Sequence, residues 1–198
     1  IAGPSEIGVI ADDSANPVHL AADLLSQAEH DPRARAIMVT TSESLANAVS
    51  DEVERQLKLL PRESIARPAI ENNSYIAVMD SVEDMFTVMN EVAPEHLEIQ
   101  LPDPMGYMSL VQNAGSVFLG AYASEPLGDY VGGTNHVLPT SGTARFSSPL
   151  GVYDFVKRTS FTQFTKARLE EVATHITTLA RTEGLEAHAR AIEVRFEK

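Results

Sequence analysis

Three of the six histidines stand in short polar clusters that a buried core does not require. These are SerGlnAlaGluHis ending at His30, AlaProGluHisLeuGlu around His96, and GlyAspTyrValGlyGlyThrAsnHis ending at His136. Each sets an imidazole within a few residues of a carboxylate or carboxamide oxygen. Imidazole changes charge near neutral pH and, when neutral, binds divalent metals. The chain contains no cysteine. The chemistry on offer is therefore that of nitrogen and oxygen groups, and thiolate catalysis, disulfides and zinc ribbons are excluded.

Taken singly, each cluster has a chemical and a structural reading. Gln27 and His30 are three apart on an expected helix, where an amide oxygen and an imidazole can share one metal ion. The same spacing suits a histidine at a helix C-terminus, where the dipole favours the imidazolium. Glu95 and His96 follow a proline and could serve two successive proton transfers to one substrate. A solvated pair in a turn would look the same. Asp129 is flanked by glycines that would let the backbone approach a ligand, or it forms an ordinary Asx turn. His188 lies on the same stripe as Leu185 and Ile192 and is expected to face protein. His136 is a further candidate, and His19 and His175 lack supporting context.

The elements that must position these groups alternate between apolar strands and amphipathic helices. Strands are expected at 7–11, 36–40, 75–79 and 117–119. A first helix is capped by Asn16 with Pro17 in its first turn and stops at Asp31-Pro32. Further helices are expected over 42–60 and 81–91. This alternation predicts an α/β fold with a mostly parallel sheet flanked by helices. Residues 120–151 are rich in Gly, Pro, Ser and Thr and read as a long functional loop. After Phe155 the pattern turns helical to the end. Leu169, Val172, Ala173, Ile176, Leu179 and Ala180 form one stripe, and Gly184 terminates that helix. The division expected is an α/β part over 1–150 and a helical tail over 151–198.

Composition narrows the classes. Lys+Arg 15 against Asp+Glu 28 gives a net charge of -13 over 198 residues. That balance argues against nucleic acid and anionic membrane partners. No apolar run approaches the roughly 20 residues of a membrane helix, and no signal peptide is visible, so a cytoplasmic location is expected. No glycine-rich dinucleotide fingerprint or P-loop occurs. Ile1 stands almost directly before an apolar strand, which suggests a piece of a longer chain.

Five motifs acquire a common meaning when taken in order. They are AlaGlyProSerGlu at Ala2 to Glu6, AspLeuLeuSerGlnAlaGluHis at Asp23 to His30, AlaProGluHisLeuGlu at Ala93 to Glu98, AsnAlaGlySerValPheLeuGly at Asn113 to Gly120, and GlyAspTyrValGlyGlyThrAsnHisValLeuProThr at Gly128 to Thr140. On these the chain resembles the histidinol dehydrogenases, over essentially all its length but only the C-terminal half of a typical member. The resemblance implies a partial Rossmann-like catalytic domain with a C-terminal helical dimerisation tail. It implies zinc held by Gln27, His30, Asp129 and His188, with Ser5 and Glu183 as substrate contacts and the ligands and His96 bordering the substrate. It makes Glu95 and His96 the catalytic pair in the oxidation of L-histidinol to L-histidine. NAD would accept hydride and would be bound mainly by a segment absent from this chain. A homodimer would exchange tails, bringing Glu183 and His188 to the other copy's site. The alternative expectation is a metal- and imidazole-binding fragment without dehydrogenase activity of its own.

Overall fold

The computed structural model describes residues 3–197. It divides into two units, one ending at Phe155 and the other beginning at Val156.

The first unit is built on a five-stranded, wholly parallel sheet in the order β3-β2-β1-β4-β5. Strands β1 (Glu6–Ala11) and β2 (Arg35–Thr40) pair in register from Glu6 beside Arg35 to Ala11 beside Thr40. Their near-continuous apolar sequences fit strands covered on both faces. Helix α1 (Pro17–Ala28) lies between them, and the Asn16 side chain accepts its Val18 N–H. Helix α2 (Glu43–Leu57) begins at Ser42, whose hydroxyl accepts the Leu45 N–H. Edge strand β3 (Tyr75–Val78) pairs with β2. Helix α4 (Val82–Val92) is capped by Ser81, and β5 (Ser116–Leu119) closes the other edge.

Two regular elements of this unit fall where the sequence pattern predicts none. Helix α3 (Glu63–Asn73) carries Pro68 inside it. Strand β4 (His96–Gln100) lies between β1 and β5. The chain order thus reverses at β1 and β4, as in doubly wound sheets. Helices α1, α2 and α3 cover one face through Leu20, Leu24, Val49, Leu57 and Ala66. The other face packs Ile10, Val39, Leu97 and Ile99 against Phe86 and Met89 of α4.

The expected loop over 120–151 also contains a short helix, α5 (Glu125–Tyr130). Gly128 sits at its tightest point. A Cβ there would stand 2.7 Å from the Phe118 ring of β5, so α5 lies flat against the sheet only because that residue is glycine.

In the second unit the helical pattern begins later than expected. Residues 156–165 are irregular, and α6 (Lys166–Thr182) starts at Thr165, whose hydroxyl accepts the Arg168 N–H. Gly184 ends it with φ +75. The Leu185 N–H then closes on the Ala180 carbonyl at 2.8 Å, the expected glycine stop. Helix α7 (Glu186–Glu193) packs on α6, with Ala180 and Ala189 buried. Arg181 bridges Glu186 and Glu193 across the pair. Leu179, expected on the buried stripe, is 66% exposed. No helix among the described residues is long and apolar enough to cross a membrane.

Candidate active site

The Glu95-His96 pair is placed by a chain of local causes. Helix α4 ends at Ala93 in the left-handed conformation, φ 50, and Pro94 cannot continue it. The backbone turns straight into β4, so Glu95 and His96 lie at its amino end. The start of β5 presses on them from one side. Gly115 N–H donates to the Pro94 carbonyl and Ser116 N–H to that of Glu95. Strand β1 presses from the other, with Ile7 beside His96 in register. Both site residues are buried, His96 being 4% exposed.

Glu6 of β1 orients the pair through its backbone. Its N–H donates to Glu95 Oε2 at 3.0 Å. Its carbonyl lies 3.0 Å from His96 Nδ1. A carbonyl only accepts, so Nδ1 must carry the proton. In the neutral ring Nε2 is then a free lone pair. His96 Nε2 is buried and has no hydrogen-bond partner among the described residues. Burial pushes the His96 pKa below the ordinary histidine value, against the opposing pull of the Glu6 carbonyl and the Asp129 charge. The imidazole is thus held as a base near neutrality. Burial acts oppositely on Glu95. Desolvation first, then the Glu6 and Asp129 charges, push its carboxyl up to about 7, although the Glu6 N–H holds it down. A base lowered by burial and an acid raised by it stand side by side, as proton transfer in both directions requires.

Helix α5 brings two more carboxyls. His96, Glu125 and Asp129 offer ligand atoms that all lie within 4.8 Å of one another. Glu125 Oε1 is 3.8 Å from His96 Nε2. Burial, and then a hydrogen bond with Asp129, raise the Glu125 pKa, while the Gln27 amide opposes that rise. Gln27 therefore reaches the same spot from α1. Its Nε2 is the other buried polar atom without a partner among the described residues. An amide's oxygen and nitrogen exchange places by a half-turn, so Oε1 can face the same point. Two unpartnered buried groups and two acidic oxygens converge there. The oxygens of Gln27, Glu125 and Asp129 form a set that fits a divalent ion such as zinc, and His96 Nε2 is left free beside it.

The remaining expected residues are more scattered. Helix α1 stops at Ala28, so His30 is not on it. His30 lies in the turn beyond, its N–H donating to the Gln27 carbonyl at 3.2 Å. Arg62 fixes that turn by donating to the Glu29 carbonyl at 2.9 Å. His30 is exposed but close enough for its charge to depress His96. Ser5, just before β1, shares a recess of about 520 Å³ with His30, Asp31 and Arg33. Glu183 caps α6 and is exposed. His188, expected to face protein, is instead exposed on α7 within this chain, and its neighbour Ala189 takes the buried position. The stripe that His188 shares with Leu185 and Ile192 is largely uncovered within this chain. His136 is also exposed.

Sequence reasoning misses Glu125 and Glu98. Glu98 is wholly buried on β4, where HisLeuGluIleGln alternates as a half-exposed strand would. Its polar face is covered by α1, through Asp23, and by the amino end of α5. The one available signal is the period of two itself, beside a strand pattern that is otherwise continuous.

An open parallel sheet with a histidine–carboxylate pair and metal-capable oxygens at the amino ends of its strands defines a candidate acid–base site. It departs from the usual placement of sites at the carboxyl ends. The family model described as histidinol dehydrogenase matches residues 1–196. Histidinol dehydrogenase of Lactiplantibacillus plantarum is 69% identical over 197 residues, which are 100% of this chain and 46% of that protein. That of Streptococcus mutans is 64% identical, with 100% of this chain and 46% of the relative covered. The crystal structure of histidinol dehydrogenase from Elizabethkingia anophelis matches with a TM-score of 0.86 at 43% identity, covering 99% of this chain and 45% of that one. The chain belongs to the histidinol dehydrogenase family, and it spans about half the length of these relatives.

Proposed function

We propose that this chain carries the metal and substrate half of a zinc-dependent enzyme that oxidises L-histidinol to L-histidine through the aldehyde. The observation that carries this reading is the free His96 Nε2 facing Glu125 and Asp129, with Glu95 beside it near its own midpoint. Gln27, His30 and Asp129 would hold the ion, with His188 of a second copy's tail as the fourth ligand. The ion would orient the substrate's amine and imidazole nitrogens. NAD would accept the hydrides and would be held mainly by a segment outside this chain.

The chain's own groups then have distinct tasks. His96 Nε2 takes the proton from the alcohol oxygen as the carbon loses hydride, giving the aldehyde. Glu95, as carboxylate, takes a proton from the water whose oxygen adds to the aldehyde carbon. His96 passes its first proton to solvent, and loss of a second hydride from the hydrate anion, with its remaining hydroxyl proton passing to His96, leaves the carboxylate. Ser5 and Glu183 contact the substrate away from the reacting carbon.

Three features support a tail-exchanged homodimer acting in the cytoplasm. His188 and Glu183 are exposed. Phe146, Tyr153 and Phe155 are exposed in the first unit and Phe161, 93% exposed, in the second, and exposed apolar side chains of this size suit burial by a partner. The acidic balance suits a soluble partner. Taken alone, this chain would bind metal and imidazole without turnover, since it spans less than half of its relatives.

The test joins this chain to the upstream segment its relatives carry and supplies L-histidinol, NAD and zinc. The expected result is NADH formation with histidine as end product, abolished by a chelator and restored by zinc, while the chain alone binds without producing NADH. An intact protein that binds zinc but yields no NADH would overturn the dehydrogenase reading.

A further inference from the structure

Glu98 occupies a place that neither proton transfer nor metal binding explains. It is 0% exposed on the same face of β4 as His96, two residues on. Its Oε1 accepts the backbone N–H of Glu125, the first residue of α5, at 3.0 Å. Its Oε2 accepts from Gln100 Nε2 at 3.1 Å. It is also hydrogen-bonded to the Asp23 carboxyl of α1. Two carboxyls can bond to each other only by sharing a proton, and desolvation supplies the reason one is retained here.

The spacing gives this arrangement its meaning. Asp23 precedes Gln27 by one helical turn on α1, and Glu125 precedes Asp129 by one turn on α5. Residues four apart share a helix face. The half-buried Asp23 and the buried Glu98 and Glu125 N–H thus form a layer beneath Gln27, His96 and Asp129. In that layer one strand residue grips both helices. We propose that Glu98, together with Asp23, is a positioning residue that sets the distance between the Gln27-bearing and Asp129-bearing helices across the His96 strand. This rests on the reading above only in that Gln27 and Asp129 hold the ion.

Without Glu98, the α5 amino end loses its acceptor, Gln100 loses its partner and Asp23 loses its bond, all away from water. Misplacement of about 1 Å at a site can lower rate a hundredfold. Supports lying behind metal ligands typically change affinity by about 10–100-fold.

The test compares E98A and E98Q in the full-length enzyme. In metal-free crystals of E98A, Asp129 and Gln27 are expected to separate by about 1 Å, and zinc affinity, measured by chelator competition, to fall by about 10–100-fold. E98Q restores both. Its amide oxygen accepts the Glu125 N–H and its NH2 donates to Asp23, while Gln100 turns its own amide by a half-turn. D23A, which removes only the α1 bond from a half-buried position, repeats the E98A effect should E98A fail to fold. Unchanged helix spacing in a folded E98A or D23A would overturn the proposal, as would zinc affinity that E98Q does not rescue. A wild-type enzyme indifferent to zinc would instead overturn the metal reading, while the helix displacement would still test the role of Glu98.

Discussion

Replacing His96 by asparagine in the full-length enzyme lowers kcat for L-histidinol by about 10²–10⁴-fold, the usual contribution of a positioned base. The asparagine amide can still donate to the Glu6 carbonyl that now holds Nδ1. The strand therefore stays in place, and what disappears is the lone pair of Nε2. Because that nitrogen is assigned to the proton and not to the ion, zinc affinity changes little. The pH profile separates the two roles further. His96 is held neutral by burial, so it contributes an acid limb below the ordinary histidine value beside that of Glu95 at about 7, and the variant lacks only the His96 limb. A variant with normal turnover would remove His96 as the base. One with weakened zinc binding would make it a ligand.

The stability of the metal-free protein falls as pH rises from about 5 to about 8, opposite to the behaviour of most paired carboxylates. Glu95 is raised from 4.5 to about 7, chiefly by desolvation. Glu6, Glu98 and Glu125 are raised too, with desolvation the largest cause in each. Between the ordinary and the raised values the folded chain binds more protons than the unfolded one. The slope of unfolding free energy against pH is therefore negative. The contribution is fully present below about 4.5 and is lost as pH rises through the folded values. For Glu95 alone it amounts to roughly 3 kcal/mol, since each tenfold change in proton affinity is worth about 1.4 kcal/mol. That is a large share of the 5–15 kcal/mol typical of a domain. Carboxylates such as the half-buried Glu52 and the exposed Glu186, lowered by Arg55 and Arg181, act below this window, and that of Glu186 is screened by solvent. Urea midpoints of the metal-free protein at the two ends of the range measure the effect. E95Q, whose amide oxygen still accepts the Glu6 N–H, flattens the profile and raises the midpoint at the upper end. Zinc reverses the trend, since an ion displaces protons from its ligands. A midpoint that rises with pH in the absence of metal would contradict the assignment.

How far the sequence can be read depends on how local each cause is. Helices α1, α2 and α4 carry their own starts in Asn16, Ser42 and Ser81, whose side chains accept N–H groups of the first turn. Strands β1 and β2 are apolar throughout because both faces are covered. Helix α3 is hidden by Pro68 and by having only two buried residues, Ala66 and Ala69. Strand β4 is hidden by its alternating polar residues, whose burial comes from α1 and α5. Helix α5 has six residues, with a proline near its start and a glycine inside, and it packs where the Phe118 ring leaves room for little more than hydrogen at Gly128. The candidate residues Gln27, Glu95, His96 and Asp129 are recognisable through their motifs. Glu98 and Glu125 are not, because nothing within a few residues of them states that they would be buried. His188 shares a stripe with Leu185 and Ile192, but within this chain that stripe is largely uncovered and Ala189 alone of α7 is buried.

The central claim is that Gln27, His30 and Asp129 face one ion while His96 faces the substrate. Crystals of the full-length protein grown with zinc, measured at the zinc absorption edge, locate that ion directly. A single anomalous peak at about 2.0–2.2 Å from Gln27 Oε1, an imidazole nitrogen of His30 and an Asp129 oxygen, with His96 Nε2 outside that distance, is the predicted result. A peak coordinated by His96, Glu125 and Asp129, leaving Gln27 and His30 free, would contradict it.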